Sequence, residues 1–328
     1  MARVFSGIQP SGEAPHLGNY LGAFRRWADE QQSDHFYCIV DLHAMTLPYP
    51  PEELRRRTVD LACWLFAVGL DPDVCTVFVQ SHVREHTELT WILNCVSTMG
   101  ELGRMVQFKE KSQGRESVTV GLFDYPVLQA ADILLYHADE VPVGEDQRQH
   151  VELSRDIAQR FNHRFGDTFT LPKPTFPKAG ARIMDLQLPD AKMSKSVESP
   201  QGRIDLTDDE KATQRKIMRA VTDSGSEVHA APDKPGVTNL LDLLAAVTGT
   251  EIADLEQRYQ GQGYGVFKRE VAEAVNGVLR PVRDRYAELS ADPGAVAELL
   301  RKGADRARGV ASGTMETVRE RVGLLRWA

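Results

Sequence analysis

The first half of the chain alternates short, unbroken apolar runs with amphipathic segments. "RVFSGIQP" begins as a short strand and stops at Pro10, and a helical pattern follows from about Leu17 to Glu30. "HFYCIVDLH" and "CTVFVQS" are continuous apolar runs, the mark of strands buried on both faces. Between them "PEELRRRTVDLACWLFAVGLD" has helical period, with Pro at its start and Gly69 near its end. Such alternation predicts an α/β fold built of right-handed βαβ units on a parallel sheet. "YPVLQAADILLY" reads as a buried helix. "VPVGEDQRQHVELSRDIAQRFN" reads as a short strand, a turn at Gly144 and a long helix, and "ARIMDL" as a last strand.

Past about residue 205 the period becomes helical throughout, in "DDEKATQRKIMRAV", "TNLLDLLAAVTG", "FKREVAEAVNGVLRPVRDRYAEL" and the C-terminal stretch. A length of 328 residues fits about two domains. With 42% hydrophobic and 26% charged residues, the composition supports a sizeable core. No run approaches the roughly 20 apolar residues of a membrane span, and "MARVFSGIQP" lacks the apolar centre of a signal peptide. Cys38, Cys63, Cys75 and Cys95 sit among apolar neighbours and form no C-x-x-C pair, which predicts core thiols in a reducing compartment. A net charge of −8 argues against indiscriminate nucleic-acid binding. The last thirty residues are locally basic, with Arg301, Lys302, Arg306, Arg308, Arg319, Arg321 and Arg326. That stretch reads either as a solvated helix face or as an RNA surface.

In parallel sheets ligands bind beyond the carboxyl ends of the strands. Gln9 to Asn19, Asp41 to His43 and Gln80 to His82 are therefore expected to meet. "GIQPSGEAPHLGNY" follows the first strand and opens a helix, where backbone N–H groups suit phosphate. Gly12 and Gly18 permit close approach of a flat ligand, and His16 and Asn19 share one helix face. "DAKMSKSVES" has no hydrophobic period. It is either a solvated loop or a grip on polyphosphate, with Lys192 and Lys195 as point charges and the hydroxyls of Ser194 and Ser196 as donors. Tyr125, Gln129, Asp132 and Tyr136 form a polar stripe on an apolar helix. A carboxylate there is costly unless partnered, so Asp132 is either half of a structural pair or a ligand for substrate.

"HLGN" with "KMSKS" resembles the paired signatures of class I aminoacyl-tRNA synthetases, with Asn19 in place of the usual final His of the first. "FSGIQPSG", "GNYLGA", "FYCIVDLHA", "FKEKS", "AADILLY", "VPVGEDQRQHVELSRDIAQRFN" and "GYGVFK" extend the resemblance, in order along nearly the whole chain, to the bacterial tryptophanyl-tRNA synthetases. The resemblance implies a Rossmann-like catalytic domain over 1–196, with a helical connective insertion, and an all-helical domain over 197–328 for anticodon-side tRNA contacts. It implies an ATP site at Gln9, Pro10, Ser11, His16, Gly18, Asn19, Gly144, Glu145, Asp146, Ile183, Lys192, Met193, Ser194, Lys195 and Ser196. Mg²⁺ would travel with the ATP phosphates, and no protein residues are assigned to it.

Lys111, Lys192 and Lys195 are implied as the catalytic cations. A tryptophan site is implied at Phe5, His43, Tyr125, Gln129, Asp132, Val141, Val143 and Gln147, with Asp132 accepting the indole N–H. Gln129 stands where some relatives have Met, and "SGEAPHLGN" is one residue longer than in the best-known bacterial versions. The partners implied are L-tryptophan, tRNA(Trp) and a second copy of the chain, in the cytoplasm. A tyrosyl-tRNA synthetase, a nucleotidyltransferase without tRNA, and a non-catalytic RNA-binding relative are the competing readings.

Overall fold

The computed structural model describes residues 2–10, 14–114, 117–176, 183–194 and 200–325. Ser11, Gly12, Lys195 and Ser196 lie outside the described residues, as does Arg326. Five parallel strands form the central sheet: β1 (Val4–Ile8), β2 (His35–Ile39), β3 (Thr76–Val79), β4 (Glu140–Pro142) and β5 (Lys173–Thr175). Their order is β3-β2-β1-β4-β5, with Val4 opposite His35 and Ile8 opposite Ile39. The chain runs outward from β1 on one side and returns to its other side at β4. The carboxyl ends of β1 and β4 therefore flank the point where the winding reverses, which is where open α/β sheets bind ligands.

Side chains alternate across the sheet with period two. Tyr37, Ile39, Val77 and Val79 face one core, filled by the helical run 17–30, the helix Pro51–Ala67 and the C-terminal helices. Phe5, Phe36, Cys38 and Phe78 face the other, filled by the helices Glu85–Asn94, Val120–Leu134 and Arg148–Phe165. Every residue of β2 and β3 is buried, which is why both read as unbroken apolar runs.

The C-terminal half is helical, as expected, with Glu210–Met218, Pro235–Thr248, Ile252–Arg258, Tyr264–Ala291 and Pro293–Arg321. The last of these lies along the free edge of β3. Arg306 Nη1 donates to the Cys75 carbonyl at 2.9 Å, and a Cβ built on Gly303 would fall 1.8 Å from the Val77 carbonyl oxygen. Glycine alone allows that approach. No helix among the described residues is long and apolar enough to cross a membrane.

Three expectations need correction. "ARIMDL" does not form a last strand among its described residues. Met184 instead makes an isolated antiparallel bridge with Lys192, while the fifth strand is Lys173–Thr175. Cys95 is exposed and only Cys38, Cys63 and Cys75 are core thiols, because Cys95 caps the end of its helix on the solvent side. Tyr136 leaves the polar stripe: it follows the helix Val120–Leu134, is fully buried, and stacks on Phe36 at 4.7 Å.

Candidate active site

A cavity of about 240 Å³ opens between the carboxyl ends of β1 and β4. Phe5 and Gln9 come from β1 and its exit, and Val141, Val143 and Gln147 from β4 and the turn after it. His43 arrives on the short helix Asp41–Ala44, and Tyr125, Gln129 and Asp132 on one face of Val120–Leu134. All eight residues of the expected amino-acid site thus line one space, together with Lys111.

Asp132 is 1% exposed and fully partnered on its inner side. Its Oδ1 accepts from Gln80 Nε2 at 2.7 Å and from His86 Nδ1 at 2.6 Å. Its Oδ2 accepts from His43 Nε2 at 2.9 Å. Burial by itself raises the carboxyl pKa. The hydrogen bonds from His43 and His86 more than reverse that and hold it well below the usual carboxylate range. The group is an anion at neutral pH. His43 in turn presents its ring edge-on to Tyr125, with centroids 6.1 Å apart.

A second polar group gathers at the cavity mouth. The Tyr125 hydroxyl lies 2.9 Å from His150 Nε2 and donates to Gln107 Oε1 at 3.1 Å. Burial, then the charge of Glu110, pushes the Tyr125 phenol up to about 12. Burial pushes His150 down to about 4, with Lys111 and His43 adding to the effect. The Lys111 ammonium sits 4.9 Å from the centre of the Tyr125 ring. Burial lowers its pKa while Asp146 and Glu110 pull the other way. Gly144, Glu145 and Asp146 form the exposed turn after β4, and Glu145 is engaged by Arg148 at 2.6 Å.

A neighbouring recess continues from Gln9 to His16 and Asn19. His16 Nδ1 accepts from the Asn19 N–H at 3.3 Å, and Asn19 Oδ1 accepts from the His16 N–H at 3.0 Å. This reciprocal cap holds the helix start as a fixed turn. A Cβ on Gly18 would stand 3.0 Å from the His16 ring, a contact tight enough that the ring would have to shift. Beside it, Ile183 accepts through its carbonyl from the Met193 N–H at 3.0 Å, both side chains are buried, and Lys192 projects to solvent. Ser194 is half-buried, and Pro10 is buried at the exit of β1. Among the described residues, no group of three or more His, Cys, Asp or Glu is arranged to hold a metal ion.

Four residues of this region were not singled out for these contacts by the sequence. Gln80 is at the end of β3, where a ligand-facing residue was expected, but its partner was not foreseen. His86, Gln107 and His150 come from three separate helices whose period marks them only as inward-facing.

A parallel sheet whose cavity opens at the switch point, a capped "HLGN" turn and a lysine-bearing loop beside it define the catalytic half of a class I tRNA synthetase. Residues 1–280 match the family model described as "tRNA synthetases class I (W and Y)". "Tryptophan--tRNA ligase 2" of Streptomyces avermitilis is 53% identical over 98% of this chain and 97% of its own length. The tryptophan–tRNA ligase of Mycobacterium leprae is 51% identical over 99% of this chain and 97% of its own. The crystal structure of tryptophanyl-tRNA synthetase from Campylobacter jejuni, complexed with ADP and tryptophan, superposes with a TM-score of 0.84. Its identity is 37%, covering 98% of this chain and 100% of that one. The chain belongs to the class I tRNA synthetases, in the tryptophanyl-tRNA synthetase family.

Proposed function

We infer that the chain acts as a tryptophan–tRNA ligase. It activates L-tryptophan with ATP to tryptophanyl-adenylate and pyrophosphate, then passes tryptophan to the terminal adenosine of tRNA(Trp). The observation that carries this reading is the full-length similarity to tryptophan–tRNA ligases, at 53% identity over 98% of the chain.

In this reading the cavity under Asp132 takes the amino acid. The buried carboxylate meets the indole N–H, while Phe5, Val141 and Val143 supply an apolar wall and Tyr125, Gln129 and Gln147 the polar groups. ATP lies across Gln9, Pro10, Ser11, the turn from His16 to Asn19, the Gly144–Asp146 turn, Ile183 and the 192–196 loop, and Mg²⁺ enters on its phosphates. The tryptophan carboxylate attacks the α-phosphorus, the bond to the bridging oxygen breaks, and pyrophosphate leaves with the electron pair. Lys111, Lys192 and Lys195 meet the charge that builds on it. The protein supplies position and electrostatics rather than a nucleophile.

The assembly belongs to the same proposal. An apolar groove lined by Leu42, Met45, Thr90 and Leu128 adjoins the cavity through Thr46 and Tyr125. Met45 in it is 51% exposed, and Trp91 and Val120, next in sequence to lining residues, are 73% and 81% exposed. Such a surface suits burial against a second copy, with tRNA reaching the helical region 197–328 and the active site of one homodimer in the cytoplasm.

Amino-acid-dependent ATP–pyrophosphate exchange, run separately with the twenty amino acids, tests the reading. Tryptophan is expected to support exchange far above the rest, and tRNA(Trp) to accept it. Exchange driven chiefly by tyrosine, or by none, would overturn it.

A further inference from the structure

Asp132 and its neighbours form a chain of hydrogen bonds that runs from the cavity into the core. His86 and Gln80 are both 0% exposed and do not line the cavity, whereas His43 does. Gln80 is oriented by the backbone: its Oε1 accepts from the Leu42 N–H at 3.1 Å. Its amide nitrogen must therefore be the end that faces Asp132, as a donor. His86 touches Asp132 through Nδ1 and the Tyr136 hydroxyl through Nε2, at 2.6 Å and 2.8 Å. An ionised carboxylate only accepts, so Nδ1 carries a proton. The Tyr136 hydroxyl, buried and held as the neutral phenol by that burial, then donates to Nε2. In this tautomer of His86 every donor and acceptor in the chain is matched.

The carboxylate has about four lone-pair sites. Two on Oδ1 are taken from the interior by Gln80 and His86, and one on Oδ2 by His43. A single acceptor site remains. It lies on Oδ2, the oxygen on the His43 side, toward the cavity.

We propose that His86 and Gln80 are positioning residues for amino-acid selection. By saturating Oδ1 from behind, they leave Asp132 one free acceptor site aimed at the ring N–H of the substrate, and Tyr136 holds His86 in the tautomer that makes this possible. The proposal rests on the reading of the cavity as the tryptophan site. It adds that discrimination for an N–H-bearing ring is set outside the cavity wall. Without His86, Oδ1 regains a free acceptor site and the carboxylate can turn, so the N–H loses its unique partner.

The test compares kcat/KM in pyrophosphate exchange for tryptophan and for 3-(benzothiophen-3-yl)alanine, in which sulfur replaces the ring N–H. The ratio of the two isolates the N–H contact from general damage to the fold. His86→Leu is expected to compress the wild-type ratio by about tenfold, the scale of one hydrogen bond to a charged group. His86→Asn keeps a donor at the Nδ1 position and is expected to hold the ratio within about threefold of wild type. Tyr136→Phe, a milder change that preserves the ring stack, is expected to compress it by roughly threefold. Equal losses for both substrates in His86→Leu and Tyr136→Phe, with the ratio unchanged, would make the chain merely structural and overturn the proposal. Should His86→Leu not fold, Tyr136→Phe decides alone by the same ratio. No tryptophan-dependent exchange in the wild type would instead sink the functional reading, and the proposal with it.

Discussion

Glu88 and Arg319 tie together two helices that lie 231 residues apart in sequence. Arg319 Nε donates to Glu88 Oε1 at 2.7 Å and Nη2 to Oε2, a two-pronged pair at the surface. Arg301 and Arg308 are likewise held by Glu298 and Asp305. Of the basic stretch that reads either as a solvated face or as an RNA surface, Arg301, Arg308 and Arg319 are thus engaged by carboxylates of the fold. The side chains of the Glu88–Arg319 pair are 40% and 36% exposed, so solvent screens it. A double-mutant cycle on Glu88→Ala and Arg319→Ala is expected to give a coupling of about 0.5–1 kcal/mol in urea unfolding. The salt dependence of tRNA binding is expected to stay unchanged in Arg319→Ala. A flatter dependence would return this arginine to the RNA surface.

Replacing Gly303 should loosen the last helix from the sheet. A methyl group there collides with the Val77 carbonyl, which is backbone and cannot step aside. Gly303→Ala is expected to destabilise by about 3 kcal/mol, at the upper end of overpacking costs. Gly309→Ala, at an exposed interior position of the same helix with open space around it, serves as the control and is expected to stabilise by about 0.5–1 kcal/mol in the same denaturant titration.

The Tyr125–His150 pair sets a pH dependence of folding. His150 titrates near 4 in the folded protein, pushed down chiefly by burial, against about 6.5 when unfolded. Below pH 6.5 the unfolded chain takes up a proton that the folded one does not. Stability is therefore full above that pH and falls as pH drops toward 4, by a total on the order of 3 kcal/mol. His150→Gln can still offer an N–H donor to the Tyr125 oxygen, whose own proton goes to Gln107, but has no proton to gain. Its stability between pH 6.5 and 4 should decline less steeply than that of the wild type, measured by urea midpoints across that range.

Asp132→Asn should damage selection and folding together. An amide offers one oxygen where the carboxylate offered two, so its NH₂ either faces the donors of Gln80 and His86 or faces His43, which must then switch tautomer to accept. Loss of a charge-assisted bond is worth about 1.5–3 kcal/mol. A ten- to hundredfold fall in kcat/KM for tryptophan is expected, with a lower melting temperature and an ATP affinity near wild type. A variant with only one of the two defects would separate roles that the hydrogen bonds place on one side chain.

Much of this site is legible in the chain because its residues lie where strands end and helices begin. β1 shows as a short strand ended by Pro10, β2 and β3 as apolar runs, and the 4–3 spacing of Tyr125, Gln129 and Asp132 puts them on one helix face. Local period cannot report what lies opposite. His86 is 46 positions from Asp132, on a helix where its signal is that of any inward residue. Tyr136 fits the stripe by spacing, yet the helix ends before it and turns its ring into the core. β5 is three residues long with Pro174 at its centre, so neither propensity nor alternation marks it. Ser11, Lys195 and Ser196, read from their motifs, lie outside the described residues, and their roles stand on the family resemblance.

The helix that closes the edge of β3 has a consequence for synthesis. Cys75 and Arg306, which meet through a hydrogen bond, are separated by 231 residues. At roughly 5–20 residues per second on a ribosome, the two are made on the order of 10–50 s apart. Once β5 has been made, the nascent chain holds all five strands but not the element that covers its outermost one. An uncovered strand edge invites pairing with other chains. The nascent chain should therefore engage holding chaperones until the last helix emerges, and release from them should coincide with that helix docking on β3.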